Sequence, residues 1–202
     1  GVKVSFNREA RTFGQIVDMV VNKEADAAIS LLSRTLKRAE RISYTKPYVV
    51  LKQGLIINRL ALEKLMKKNS ILNTLNQNKA VIAVKNGTSY FDFSHKIFPN
   101  AVIKEYPEWD PDIIDAVMAG EAAAGYHDEI EIKKFIISRP EAAIHLTTAV
   151  IQDLNDPIAI AVPYESNTLL DWLNLYIEQH VTQMDADTLL DKYKESLKAI
   201  SK

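Results

Sequence analysis

The chain has no cysteine, only 6 glycines, 7 prolines and 2 tryptophans in 202 residues, and almost no net charge. Each shortage excludes something. Without cysteine there is no disulfide framework, no thiolate zinc site and no cysteine nucleophile. Zero cysteine is neutral as to compartment, since it suits an oxidising one without requiring it. With so little glycine and proline there is no low-complexity linker, and no repeat at solenoid periods is seen. Lys plus Arg total 25 against 26 Asp plus Glu, a formal net charge of -1, so the bulk charge gives no basic footprint for nucleic acid. Long apolar runs are missing too. The best, Ala80–Val84 and Pro157–Pro163, are far shorter than the roughly 20 residues a membrane-spanning helix needs. The first residues, GVKVSFNREA, contain no apolar stretch of the signal-peptide kind.

What is there is ordinary globular material, 47% hydrophobic and 25% charged, long enough for one large domain or two small ones. Val2, Val4 and Phe6 alternate as in a strand. Thr12 is placed to cap a helix with the stripe Phe13, Ile16, Val17, Val20. Ala27–Leu32 reads as a buried strand, Thr35 as the cap of a short helix to Arg41, and Val49–Ile57 as a long strand containing Gly54. A short amphipathic helix follows at Leu60–Lys68 and a further helical turn or loop at Ile71–Asn78. A second series then begins: strand Ala80–Val84, helix to Ile97, strand Val102–Tyr106, a helix entered by Pro111 and stopped by Gly120, strand Ala122–Tyr126, helix Glu129–Ile137, and strands Ala143–Thr147 and Ile158–Val162. The end is helical, Asn167–Gln183 and Asp187–Ile200. Alternating strands and helices predict an α/β fold with helices on both faces of parallel or mixed sheets.

In such sheets ligands bind where strands end and helices begin. Three turns fit. In Ser30-Leu-Leu-Ser33-Arg-Thr35, hydroxyls and helix N–H groups can attract an anion, and Arg38 can grip a carboxylate by two bonds; helix capping by Ser33 and Thr35 fits the same residues. In Lys85-Asn-Gly87-Thr88-Ser89, Gly87 permits a sharp turn and Thr88 and Ser89 bring donors, without the glycine and lysine pattern of a phosphate loop. In Gly125-Tyr-His127-Asp128-Glu129, Asp128 can accept from a ligand ammonium or cap the next helix. His127 beside Asp128 suggests base chemistry only weakly, because neighbours on a strand face opposite ways. The other histidines, His95, His145 and His180, show no metal-ligand spacing.

The stretch from Asp26 to Tyr48, with Thr35-Leu-Lys-Arg38 and Tyr44-Thr-Lys-Pro-Tyr48 inside it, resembles the signature of family 3 extracellular solute-binding proteins, the polar amino-acid-binding proteins of ABC transporters. Gly87-Thr88-Ser89 is similar to the family's Gly-Thr turn, and Ala119 to Asp128 to its second-lobe strand ending in Asp. The resemblance covers essentially the whole chain. It implies a two-lobed, clamshell-shaped periplasmic-binding-protein-like fold, each lobe a doubly wound sheet: residues 1–56 and 164–202 as lobe 1, residues 57–163 as lobe 2. It implies an amino acid or similar carboxylate in the cleft, with Arg38, Ser33, Thr88 and Ser89 on the α-carboxylate, Asp128 on the α-ammonium and Ser30 near it. The partners implied are the small-molecule ligand and the membrane permease of an ABC transporter, in the periplasm or outside the cell. No cofactor, metal or catalytic residue is implied, and no nucleic acid.

Leu31 departs from the pattern, standing where many amino-acid binders carry a small residue. Family members also begin with a strand and helix ahead of the segment matching Val2–Phe6. The resemblance therefore implies that roughly 30 residues of lobe 1 are missing, and an open sheet edge predicts either a homodimer through the incomplete lobe or a fragment with weakened binding. Two alternatives share the fold. One is a sensory or regulatory domain of a receptor or cell-wall enzyme. The other is a dehydratase of small cyclic acids using His127, Asp128 and Glu129. Tyr48, Tyr90, Tyr126 and Trp109 are candidate apolar walls of a site, or core.

Overall fold

The computed structural model describes residues 2–65, 70–77 and 80–200, with side chains to residue 193. The ends of the helices expected at Leu60–Lys68 and Ile71–Asn78 lie outside the described residues. The chain divides into two compact units, residues 1–50 with 156–184 and residues 51–155 with 185–202. The chain passes between them at 50/51, 155/156 and 184/185, against the expected 56/57 and 163/164. The first two passages lie inside long strands, and the third sets the last helix with the second unit.

The first unit opens with residues 2–12 outside any regular element. The strand expected at Val2–Phe6 does not form: Val2, Val4 and Phe6 are 94%, 70% and 79% exposed. Alternation makes a strand only where a neighbouring strand takes up its ladder, and no such neighbour stands beside it among the described residues. Helix α1, Phe13–Val21, follows. Its cap is reciprocal: the Thr12 hydroxyl accepts from the Gln15 N–H, and the Gln15 side chain accepts from the Thr12 N–H, both at 3.2 Å. Val17 and Val20 are buried, and Phe13 and Ile16 pack beside them. Helix α2, Leu36–Ala39, is capped by Thr35. Strand β1, Ile42–Tyr44, comes next in the chain. It pairs antiparallel with β7, Ala161–Pro163, and helix α8, Asn167–His180, closes the unit.

The continuous strand expected over Ala27–Leu32 is replaced by two single bridges, Ala28 to Ala161 and Ser33 to Ile158. Leu31 explains the break. Its φ of +52° lies in the left-handed region, which a branched side chain enters at a cost and which ends a pleated ladder. The first unit thus carries a two-stranded sheet with flanking bridges, smaller than the doubly wound sheet expected of it.

The second unit is built on a five-stranded sheet in the order β4-β3-β5-β2-β6. These strands are β2 (Val49–Asn58), β3 (Val81–Lys85), β4 (Val102–Tyr106), β5 (Ala124–Asp128) and β6 (Leu146–Ile158). Strand β3 runs parallel to β4 and β5, and β2 runs antiparallel to β5 with Gln53 opposite Asp128 and Gly54 opposite His127. Successive side chains point to opposite faces. Leu55, Ile57, Ile82, Val84 and Tyr126 therefore join one core, while Ile56 and Ala83 join another.

Against the first face lie α3 (Arg59–Leu65), α4 (Ile71–Leu75) and α5 (Ser89–Ile97), through Leu62, Leu75 and Tyr90. Against the second lie the π-helical turn Trp109–Ile113, α6 (Ile114–Met118) and α7 (Glu129–Ser138), through Trp109, Ile113, Val117 and Phe135. Helix α9, Ala186–Ile200, is tied to α7 by the ion pair Lys133–Asp187 at 2.9 Å.

One expectation holds and one shifts. Pro111 enters the helical run that leads into α6, with Asp110 ahead of it in extended backbone (φ -128°, ψ 121°). Ala143 lies in a 3₁₀ turn, Pro140–Ile144, rather than in a strand. Strand β6 then runs on through polar residues and Pro157, which an edge strand tolerates.

Two glycines let the layers approach. A Cβ on Gly54 would stand 2.8 Å from Ile132 Cδ1. One on Gly125 would stand 2.7 Å from Ile113 Cγ2 and 3.2 Å from the Trp109 ring. Gly125→Ala is expected to lower the unfolding free energy by about 1–3 kcal/mol through overpacking, read as a lower urea midpoint; an unchanged midpoint would contradict this packing.

Candidate functional site

The residues expected at the site fall into two groups, one in each unit. In the first unit the turn after Ala28 passes through half-buried Ser30, strained Leu31 and buried Ser33. The Ser33 hydroxyl donates to Asp156 Oδ2 at 2.9 Å, and Asp156 is 1% exposed. The single hydroxyl proton thus goes to a buried carboxylate. Thr35 takes the cap, accepting from the Arg38 N–H.

Arg38 reaches back from α2. Its Nη1 donates to the Ser33 carbonyl at 3.2 Å, and its guanidinium carbon lies 5.3 Å from the centre of the Phe13 ring. The Tyr44 hydroxyl donates to the same Ser33 carbonyl at 3.3 Å. Burial pushes the Tyr44 phenol up, against the pull of the Arg38 charge and hydrogen bond beside it. Burial likewise raises Tyr48, opposed by a hydrogen bond from the Leu31 backbone. Among the described residues no carboxylate forms an ion pair with Arg38. A half-buried guanidinium is thus fixed by a carbonyl, a phenol and an aromatic face, all neutral. Guanidinium carries five N–H donors in a planar fork, so these contacts leave donors for a carboxylate.

In the second unit, Gly87 takes a φ of +71° and Thr88 precedes α5. The Thr88 hydroxyl does not cap the helix; it donates backwards to the Lys85 carbonyl at 2.7 Å and closes the turn. Ser89, 5% exposed, is the first residue of α5. Tyr90 follows it, and its ring stacks on the His127 imidazole with centroids 4.9 Å apart. Trp109 meets the same imidazole edge-on at 4.9 Å. The α5 turn and the end of β5 are thereby joined through one histidine.

Asp128 ends β5 and caps α7. Its Oδ1 accepts from the Glu131 N–H at 2.9 Å, and its Oδ2 lies 2.8 Å from His127 Nδ1. Burial opposes ionisation of this carboxyl, but the His127 hydrogen bond and charge and the Ile130 and Glu131 N–H groups outweigh it and hold its pKa below the usual range. Glu129 is committed elsewhere, accepting from the Lys52 N–H and pairing with Lys133. Tyr126 lies fully buried and bonds to Gln53, so it is core rather than wall.

Sequence reasoning discounted the bond between His127 and Asp128 because strand neighbours diverge, but at a strand end the carboxylate turns back into the cap position. It gave Phe13, Tyr44 and Asp156 no part in the site. Only the i, i+3 order of the α1 stripe hinted that Phe13 faces inward. No cluster of three or more potential metal ligands occurs among the described residues, and no helix there is long and apolar enough to cross a membrane.

The model of bacterial extracellular solute-binding proteins, family 3, matches residues 1–196, and the chain belongs to that family. Comparison with curated proteins gave no match. Among solved structures the chain is similar to the amino acid ABC transporter substrate-binding protein AbpA from Streptococcus pneumoniae bound to L-arginine. They share 22% identity over 92% of this chain and 69% of that one, with a TM-score of 0.65. It is similar to the ancestral amino acid-binding protein AncCDT-1, a precursor of cyclohexadienyl dehydratase, at 21% identity over 96% and 78% of the two chains, TM-score 0.71. It is also similar to the GluR0 ligand-binding core in complex with L-glutamate, at 20% identity over 93% and 79%, TM-score 0.73. At these identities the likeness speaks for the fold.

Asp128 also sets a pH dependence. Its folded-state pKa lies below the unfolded value of about 3.9, so the ionised group stabilises the fold above that value and the contribution fades as pH falls through the folded one. Asp128→Ala is expected to cost about 1–3 kcal/mol at neutral pH, through the lost cap and the unpaired N–H groups. Urea titrations should show the gap from the unsubstituted chain narrowing below about pH 4; a gap that widens on acidification would contradict the assignment.

Proposed function

We propose that this chain binds an amino acid or a related small carboxylate for delivery to the membrane permease of an ABC transporter, in the periplasm or outside the cell. Arg38 takes the α-carboxylate, with Ser89 and Thr88 contributing from the α5 turn, and Asp128 takes the α-ammonium with Ser30 near it. Ser33 serves this reading by its carbonyl, which orients the guanidinium, and by the hydrogen bond that its hydroxyl makes to Asp156. The observation that carries the reading is the state of Arg38, a half-buried cation oriented by neutral groups alone. A cation so placed costs free energy that an arriving carboxylate recovers.

Titration calorimetry against the twenty amino acids tests it. At least one should bind, and Arg38→Ala should weaken that binding by about thirtyfold or more, as expected for truncating one partner of a buried charge pair. Binding that survives the substitution unchanged would overturn the assignment of Arg38, and a chain that binds no amino acid would overturn the function.

A second reading rests on the His127–Asp128 hydrogen bond, which places a base beside a carboxylate as proton-transfer enzymes do. It predicts turnover of a small cyclic acid that His127→Ala abolishes. Assays of the unsubstituted chain that detect no product would remove it.

A further inference from the structure

The turn that carries Ser33 is pinned by a segment far along the chain. Ser33 is 4% exposed and Asp156 1%. The Ser33 hydroxyl donates to Asp156 Oδ2 at 2.9 Å, across 123 residues of sequence. Backbone bonds flank this one on both sides: the Arg34 N–H donates to the Pro157 carbonyl at 2.8 Å, and the Ala159 N–H to the Leu32 carbonyl at 3.2 Å. Just ahead of them Leu31 holds its left-handed φ of +52°, a conformation that persists only where its surroundings fix it. The Ser33 carbonyl faces other partners, accepting from Arg38 Nη1 at 3.2 Å and from the Tyr44 hydroxyl at 3.3 Å. One residue thus has its side chain tied to a buried carboxylate and its carbonyl tied to the arginine.

Resting on the amino-acid reading above, we propose that Asp156 is a positioning residue for the ligand α-carboxylate: through the Ser33 hydroxyl it fixes the Ser33 carbonyl, and through that carbonyl the fork of Arg38. Asp156 is too deeply buried to meet the ligand itself. A buried carboxylate is a weak source of stability, because its desolvation offsets most of what its bonds return. What it supplies here is direction. A rotation of the Ser33 peptide plane would let the guanidinium turn, and a two-bond grip on a carboxylate needs both N–H groups in the plane of the acceptor. Phe13 does not do this work. Its ring face, 5.3 Å from the guanidinium carbon, attracts the cation without fixing where each N–H points.

Asp156 also serves the fold, so a change in stability does not separate the two roles. The two charges of the ligand do. General loosening of the protein weakens the grip on carboxylate and ammonium alike. Misdirection of Arg38 weakens only the grip on the carboxylate, since Asp128 ends a strand of the other unit.

The experiment is calorimetry of the full chain with the twenty amino acids and, for one that binds, with its carboxamide and its deaminated analogue. It is run on the unsubstituted chain, Asp156→Ala, Ser33→Ala and the double variant. Asp156→Ala should cut the preference for the acid over the carboxamide by about fivefold or more, the scale on which residues out of contact with a ligand act. The preference for the amine over the deaminated analogue should not move. Ser33→Ala should do the same, and the double variant should lose no more than either single one. Asp156→Asn, which has the same shape and keeps an oxygen for the Ser33 hydroxyl, should retain the preference for the acid; it carries the test should Asp156→Ala not fold. Nitrogen NMR of the Arg38 guanidinium, assigned by its loss in Arg38→Ala, should show distinct Nη signals without ligand, merging in Ser33→Ala and Asp156→Ala but not in Asp156→Asn. Equal loss of both preferences, losses that add in the double variant, or an Asp156→Asn that loses the preference for the acid overturns the positioning role and leaves the binding reading standing. Binding of no amino acid overturns the binding reading; Arg38 signals that are then alike in all the chains overturn the positioning role too, and signals that merge as stated support it.

Discussion

The place of β5 in the middle of five strands is the constraint on which the rest depends. It pairs parallel with β3 on one side and antiparallel with β2 on the other, so neither its register nor its facing is free. A slip of one residue would send Tyr126 out of its core and bring His127 in. Gly54 and Gly125 deepen the constraint, since the layers above and below close onto the strand where a side chain would otherwise stand. Once β5 is fixed, its carboxyl end is fixed. His127 enters the space between Tyr90 and Trp109, and Asp128 reaches the N-terminus of α7.

From there the chemistry follows by a short chain of causes. A carboxylate at a helix N-terminus receives N–H groups and stays ionised, and an ionised, buried carboxylate is what an ammonium seeks. In the other unit the same logic runs with the sign reversed. Arg38 is charged whatever its surroundings, and its neighbours orient it without neutralising it. A zwitterion has one group for each. Near-zero net charge suits the proposed binding, in which recognition would rest on two local charges rather than on a field over the whole surface.

Much of this was legible in the sequence, for stated physical reasons. Periodicity gave α1, short apolar runs set off by turns gave α5 and the strands β2 to β5, and the capping residues Thr12, Thr35 and Asp128 stood where helices begin. The family resemblance rested on a 23-residue block, Asp26 to Tyr48, that composition could not have supplied. What failed shares a cause as well. Val2–Phe6 alternates like a strand, but alternation says nothing about whether a partner exists. Strand β6 was caught only at its two ends, in Ala143–Thr147 and Ile158–Val162, because an edge strand with polar residues and a proline carries little apolar period. Leu31 in the left-handed region could not be foreseen, since leucine is among the residues least suited to it. The tertiary contacts of Arg38 with Phe13 and Tyr44, and of Ser33 with Asp156, join residues whose separation in sequence hides their proximity.

The central claim is that one ligand is held by its two charges, the carboxylate by Arg38 and the ammonium by Asp128. The most direct measurement is a cycle of calorimetric affinities for the amino acid that binds, for its carboxamide and for its deaminated analogue, on the unsubstituted chain, Arg38→Ala and Asp128→Asn. The account predicts that Arg38→Ala no longer distinguishes the acid from its amide while still preferring the amine, and that Asp128→Asn shows the converse. Losses that simply add, with each variant still discriminating both groups, would contradict it.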